Sequence, residues 1–168
     1  MKKLYLIGGT MGVGKTTTCQ VLKTKLDKSV FLDGDWCWDM HPFVVNRETK
    51  VMVMNNIVYQ LNQFISCNEI ENIIFCWVMH EQSIIDEILS RVDINHCHVY
   101  TFSLICSDDT LKAHLQTDID AGIRSQDIIE RSLERMKFYK QLNTIKIDIS
   151  HSTIDETAEK ICKILNAK

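Results

Sequence analysis

The sequence predicts an α/β protein, a three-layer α/β/α single domain over residues 1–168 built on a five-stranded parallel sheet. Three observations predict it. Short apolar runs recur at 4–7, 30–32, 73–78, 99–105 and 145–149, continuous as strands buried on both faces are. The intervening segments carry apolar residues three or four apart, the spacing of helices that cover a sheet. The first run also leads straight into Gly9-Thr10-Met11-Gly12-Val13-Gly14-Lys15-Thr16, which fills the pattern G-x-x-x-x-G-K-[S/T] without a mismatch. At 168 residues, 45% apolar, one core is affordable and a second domain has little room.

Each element follows from its own residues. The run 4–7 is the first strand, and 16–26 is the helix after the glycine-rich turn. Glycines let the main chain curl around an anion so that successive N–H groups point inward. The helix N-terminus adds partial positive charge at the same place. Gly9, Thr10, Met11, Gly12, Val13, Gly14, Lys15, Thr16 and Thr17 are therefore the expected nucleotide-binding residues. Lys15 is expected on the β- and γ-phosphates and the Thr16 hydroxyl on Mg²⁺. Such a pattern between a strand and a helix predicts a nucleoside triphosphate, taken here as ATP.

The second strand, 30–32, opens into Asp33-Gly34-Asp35-Trp36-Cys37-Trp38. In a parallel sheet, ligands lie beyond the carboxyl ends of the strands, so this turn falls beside the triphosphate. Asp33 is expected to hold Mg²⁺ or its waters, and Asp35 to take the proton of an acceptor hydroxyl. Trp36 and Trp38 form an apolar wall for the acceptor or stack on a ring. On their own, two acids and two tryptophans also suit a polar turn packed on the core; the neighbouring phosphate loop favours function. Residues 47–66 read as a helix, with Val51, Met54, Val58, Leu61 and Ile65 on one stripe, and residues 47–60 shape the rest of the acceptor side. The third strand ends in Val78-Met79-His80-Glu81 and brings no aspartate of its own, which moves the metal role to Thr16 and Asp33. His80 and Glu81 are acceptor contacts, or Glu81 is a first-turn acid of the helix 82–91.

Ser107 begins Ser-Asp-Asp-Thr, a good N-cap for a helix at 108–115. A short lid is expected at about 116–126, with Gly122 as its flexible point and Arg124 poised over the nucleotide. In the helix 126–142, Arg131 and Arg135 are four apart and share a face. Guanidinium forks stabilise charge on a transferred phosphoryl group, so Lys15, Asp35, Arg124 and Arg131 are the candidate catalytic set. The alternative for Arg131 is a surface pair with Asp127. The strand 145–149 and the helix 153–165 complete the chain.

Together these residues resemble the small phosphate-loop kinases: shikimate, gluconate, adenylylsulfate and adenylate kinases and chloramphenicol phosphotransferase. The likeness is strongest in Gly9 to Thr16 and in Leu32-Asp33-Gly34-Asp35, which is similar to the Leu-Asp-Gly-Asp of adenylylsulfate kinase. It implies a P-loop nucleotide-kinase-like fold with sheet order 2-3-1-4-5, Arg124 as a lid arginine and an adenine near Ser150 to Thr153. It also implies an ATP- and Mg²⁺-dependent kinase that transfers the γ-phosphoryl group to the hydroxyl or phosphate of a small-molecule or nucleotide acceptor. Two departures keep that acceptor open. Val78-Met79-His80 stands where shikimate kinases have a glycine-rich turn, and Thr117 stands where adenylate kinases have an arginine. The other function class is an ATP-hydrolysing switch acting on a protein partner; the chain lacks the Asn-Lys-x-Asp guanine reader of a GTPase.

A net charge of −3 makes nucleic acid an unlikely partner. No apolar stretch nears the ~20 residues that span a bilayer. Met-Lys-Lys leading into a strand is a poor signal peptide, and seven cysteines without a C-x-x-C pair fit a reducing cytoplasm. His96-Cys97-His98 reads as a strand entrance rather than a metal site. Oligomeric state is not encoded legibly.

Overall fold

A computed structural model describes residues 1–166. Five strands, β1 (Lys2–Gly8), β2 (Ser29–Asp33), β3 (Asn72–Trp77), β4 (Cys97–Ile105) and β5 (Ile145–Asp148), form one sheet in the order β2-β3-β1-β4-β5. Every pairing is parallel. Helices α1 (Lys15–Lys25), α2 (Arg47–Ser66), α3 (Gln82–Arg91), α4 (Asp108–Asp120), α5 (Ile128–Tyr139) and α6 (Ile154–Asn166) connect and flank the strands. A 3₁₀ turn occupies Gly34–Trp38. The α/β sheet and its order are those expected.

The central strand shows why the apolar runs are continuous. Leu4, Tyr5, Leu6 and Ile7 of β1 are all at most 1% exposed, because helices cover both faces of the sheet. Register then fixes the working edge. Gly8 pairs with Trp77 and Ser103, and Asp33 pairs with Cys76, so β1, β2 and β3 deliver their ends at nearly one level while β4 runs on to Ile105.

Two elements differ from the pattern read along the chain. Helix α4 runs to Asp120 rather than stopping at 115, so residues 116–120 of the expected lid form its last turn. It ends where Gly122 takes a φ of 71°. There Gly122 N–H donates to the Ile119 carbonyl and Ile123 N–H to the Asp118 carbonyl, both at 2.9 Å, which closes the helix as a glycine cap does. The irregular link is thus short, and α5 begins only at Ile128. Helix α2 has the boundaries that its stripe predicts; Asn46 and Thr49 form a reciprocal capping box at its start. Among the described residues no helix is long and apolar enough to cross a membrane.

Candidate active site at the carboxyl edge of the sheet

The glycine-rich turn between β1 and α1 needs its glycines for two separate reasons. Gly12 and Gly14 have φ of 78° and 90°, the left-handed region that side chains disfavour. A Cβ on Gly12 would also lie 2.4 Å from Leu115 Cδ2 of α4, whereas a Cβ on Gly14 would meet nothing within 4 Å. The turn is therefore packed on the α4 side and open at the N-terminus of α1. It is braced from α5 as well. The buried Thr10 hydroxyl donates to the Ser132 carbonyl at 3.0 Å, and Arg135 Nη1 reaches Met11 Sδ at 2.9 Å.

Lys15 and Thr16 open α1 and face the paired acids. Lys15 Nζ donates to the Thr10 carbonyl at 3.0 Å. Burial pushes its pKa down, Arg124 adds to that, and Cys76, Asp35 and Asp33 oppose it. Thr16 Oγ1 donates to Asp33 Oδ2 at 2.6 Å, while Asp33 Oδ1 accepts the Asp35 N–H at 3.0 Å. Asp33 is 4% exposed, so both its oxygens are held by partners at the sheet edge. Thr17 is exposed on the first turn of α1. Asp35 as a residue is exposed, yet the atoms around its carboxyl raise its pKa by withdrawing water, and repulsion from Asp33 adds to this. Lys15, a hydrogen bond from Trp77, and Arg124 pull the other way.

Trp77, the last residue of β3, organises the acid side. Gly34 lies flat against it; a Cβ there would be 2.5 Å from Trp77 Cγ. Trp38 packs 6.4 Å from Trp77 by ring centroids, and Trp36 leans edge-on against Phe31 at 5.2 Å. After β3, Met79 is buried with a φ of 37°. That is a left-handed turn made without glycine, a strain of order 1–3 kcal/mol held by its surroundings. Tyr139 Oη hydrogen-bonds the Val78 carbonyl and ties α5 to this turn. His80 stands beside Phe138 and Glu81; burial first, then Arg135, lowers its pKa, and its Nδ1 has no hydrogen-bond partner among the described residues.

The three arginines separate. Arg124 Nε pairs with Asp118 Oδ2 at 2.9 Å, and its charge is felt at both Lys15 and Asp35. Arg131 lies on the outer face of α5, 3.6 Å from Asp127 Oδ2, the surface pair that its spacing allowed. Arg135 is the arginine that meets the phosphate loop. Sharing a helical face thus did not put the two in one environment, because α5 turns its Ser132 and Met136 row inward and only Arg135 borders the loop. Ser150 accepts the Ser107 N–H at 2.8 Å, which joins the loop after β5 to the cap of α4.

Lys15, Thr16, Asp33, Asp35, Arg124, Trp36 and Trp38 are therefore assembled at one edge, with His80 beyond them against α5. Sequence reading passed over Trp77, which looked like ordinary strand filling, and Asp118, which anchors Arg124. The signal for Trp77 was its place as the last residue of a strand at the ligand-bearing edge. A shallow recess of about 660 Å³ lined by Asp108, Asp127, Glu130 and Lys137 lies away from these residues.

Comparison with known proteins agrees with this architecture. A family described as an AAA domain matches residues 6–137. No curated protein sequence matches the chain. Among solved structures, the tunicamycin resistance protein of Deinococcus radiodurans is similar at TM-score 0.72 and 17% identity, over 98% of this chain and 96% of that one. Shikimate kinase from Acinetobacter baumannii, in complex with shikimate, is similar at TM-score 0.66 and 20% identity, over 99% and 94%. The adenylylsulfate (APS) kinase CysC of Mycobacterium tuberculosis, in complex with AMPPNP and APS, is similar at TM-score 0.68 and 12% identity, over 98% of both chains. At these identities the likeness is one of fold: a P-loop, kinase-like α/β domain.

Proposed function

This chain belongs to the AAA domain family, and from that premise we propose that it is a P-loop kinase moving the γ-phosphoryl group of ATP to the hydroxyl of a small acceptor. The observation that carries the reading is the 2.6 Å bond between Thr16 Oγ1 and Asp33, which joins the phosphate loop to the paired acids in one site.

Phosphoryl transfer asks the protein for position and charge rather than for covalent chemistry. The main-chain N–H groups of Gly12 to Thr16 grip the phosphates, helped by the start of α1. Lys15 leaves the Thr10 carbonyl for the β- and γ-phosphates. Thr16 and Asp33 are hard oxygen donors of the kind and number that Mg²⁺ takes from a protein when phosphates and water complete its shell. The ion would neutralise charge on the phosphates. Asp35 accepts the acceptor's proton; burial, with repulsion from Asp33, raises its pKa and makes it a better base than an ordinary carboxylate. Arg124 and Arg135 brace the transferred group from the α4–α5 side. Trp36 and Trp38 bound the acceptor, with His80 at its far rim. Seven free cysteines support a reducing, cytoplasmic setting.

The test is ADP release with Mg²⁺ and ATP, with and without a panel of alcohols, sugars and nucleosides. Release that depends on an acceptor is expected. Release at the same rate without any acceptor would favour a nucleotide switch acting on a protein partner.

A further inference from the structure

A file of rings runs outward from Asp35. It starts at Trp77, against which Gly34 is flattened, and continues to Trp38 at 6.4 Å and Phe43 at 5.7 Å between ring centroids. Trp38 is fixed in place because its indole N–H donates to the Val44 carbonyl at 3.1 Å. Phe43, at the outer end of the file, is 67% exposed and Trp36, next in sequence to Asp35, is 54% exposed, so flat apolar surface lies open to water along this turn. Folding gains nothing from that surface, and exposed aromatic area next to a reactive edge is a binding feature.

Charge is distributed just as unevenly. Residues 29–46 contain Asp33, Asp35 and Asp39 and neither lysine nor arginine. The cations of the site are bound on the other side: Lys15 to the Thr10 carbonyl, Arg124 to Asp118, Arg135 to Met11. An anionic acceptor laid along Trp38 and Phe43 would meet the acids of this turn, and a bare polyol would leave the rings wet.

Resting on the kinase reading above, we propose that the acceptor is an uncharged alcohol with a flat ring body, laid along Trp77, Trp38 and Phe43 with its hydroxyl at Asp35. Asp35 takes the hydroxyl proton as the acceptor oxygen bonds to the γ-phosphorus. The bond from that phosphorus to the β,γ-bridging oxygen breaks, leaving ADP and a phosphate monoester.

The chain's three tryptophans are Trp36, Trp38 and Trp77, so its indole fluorescence reports on this region alone. The experiment titrates the full chain, loaded with Mg²⁺ and AMPPNP, with cinnamyl alcohol and separately with shikimate, gluconate and AMP. In parallel, transfer of labelled phosphate from ATP to each compound is followed. The expected result is an emission change and transfer with cinnamyl alcohol only. Trp38→Ala and the surface variant Phe43→Ala should each raise its KM about tenfold, with nucleotide affinity changed less than twofold. Transfer to an anion that is indifferent to both variants overturns the proposal. So does an unchanged emission with cinnamyl alcohol in protein that binds AMPPNP. An emission change accompanied by acceptor-independent ATP hydrolysis overturns the kinase reading and upholds the ring site.

Discussion

The two halves of the site are built on opposite principles. On the phosphate side, Gly9 to Thr16 is held by main-chain geometry and by close packing: Leu115 fills the space behind Gly12, and Ser132 receives Thr10. On the acceptor side, the turn after β2 is held mainly by side chains, with Thr16 and the Asp35 N–H on Asp33, Gln60 on Cys37 and Trp38 on the Val44 carbonyl, and it leaves Phe43 and Val45 largely in solvent. A polyphosphate is the same in every nucleotide, so one rigid cradle suffices. An acceptor differs between kinases, and its side is made of exchangeable side chains on a loop. Substitutions on the two sides should therefore fail differently.

Lys15→Ala should produce the largest effect. Removing a positioned charge from a phosphoryl-transfer site costs about 10²–10³-fold in kcat, read as ADP release, while the melting temperature holds. Stability should hold because burial already depresses the Lys15 pKa. The charged form is the one the fold disfavours, so its loss removes a cost. Asp35→Asn comes next, with kcat falling about 100-fold and affinity for AMPPNP unchanged. Its pH signature has a definite sign. The folded pKa is raised above the ordinary 3.8, so the rate should climb with pH through that raised value, and the asparagine variant should lose this acid limb. Stability runs the opposite way. The folded state holds the proton more tightly than the unfolded chain, so ionisation of Asp35 costs stability as pH rises past the ordinary value. At neutral pH the asparagine variant should melt no lower than the parent.

Legibility in the sequence divides along the same line. The phosphate loop was readable residue by residue, because G-x-x-x-x-G-K-T encodes backbone angles and a helix start that tolerate little else. The sheet was readable because β1, buried on both faces, must be apolar throughout. Asp33 and Asp35 were found through the topology that sets their strand beside the loop. Trp77 and Phe43 were not found, since a tryptophan ending a strand and a phenylalanine after Pro42 carry no local signature; only the fold brings Trp77 to Asp35 and lines both rings up with Trp38. The end of α4 was missed because its last turn is polar and its glycine cap works through φ rather than through hydrophobic spacing. Gly34 sharpens the contrast. A methyl there would stand 2.5 Å from Trp77 Cγ, so Gly34→Ala should cost about 1–3 kcal/mol by denaturant melt and shift the tryptophan emission. AMPPNP affinity should stay put, because the strain falls on the acceptor side alone.

The smallest effects come from the arginines of α5, where spacing alone gave them one face. Arg135 borders the loop at Met11, and Arg135→Ala should lower kcat about tenfold, the order of one charge-assisted contact to the transferred group. Arg131 is 62% exposed and pairs with Asp127, itself 61% exposed, in an i,i+4 arrangement. Such pairs contribute about 0–1 kcal/mol and are screened by salt. Arg131→Ala should thus keep kcat within about twofold and leave the denaturation midpoint nearly unmoved, a difference that shrinks further in high salt. Should Arg131→Ala prove as damaging as Arg135→Ala, α5 must rotate its outer face onto the phosphates during turnover. The phosphate side would then be a moving part rather than the rigid cradle that Leu115 and Ser132 make of it.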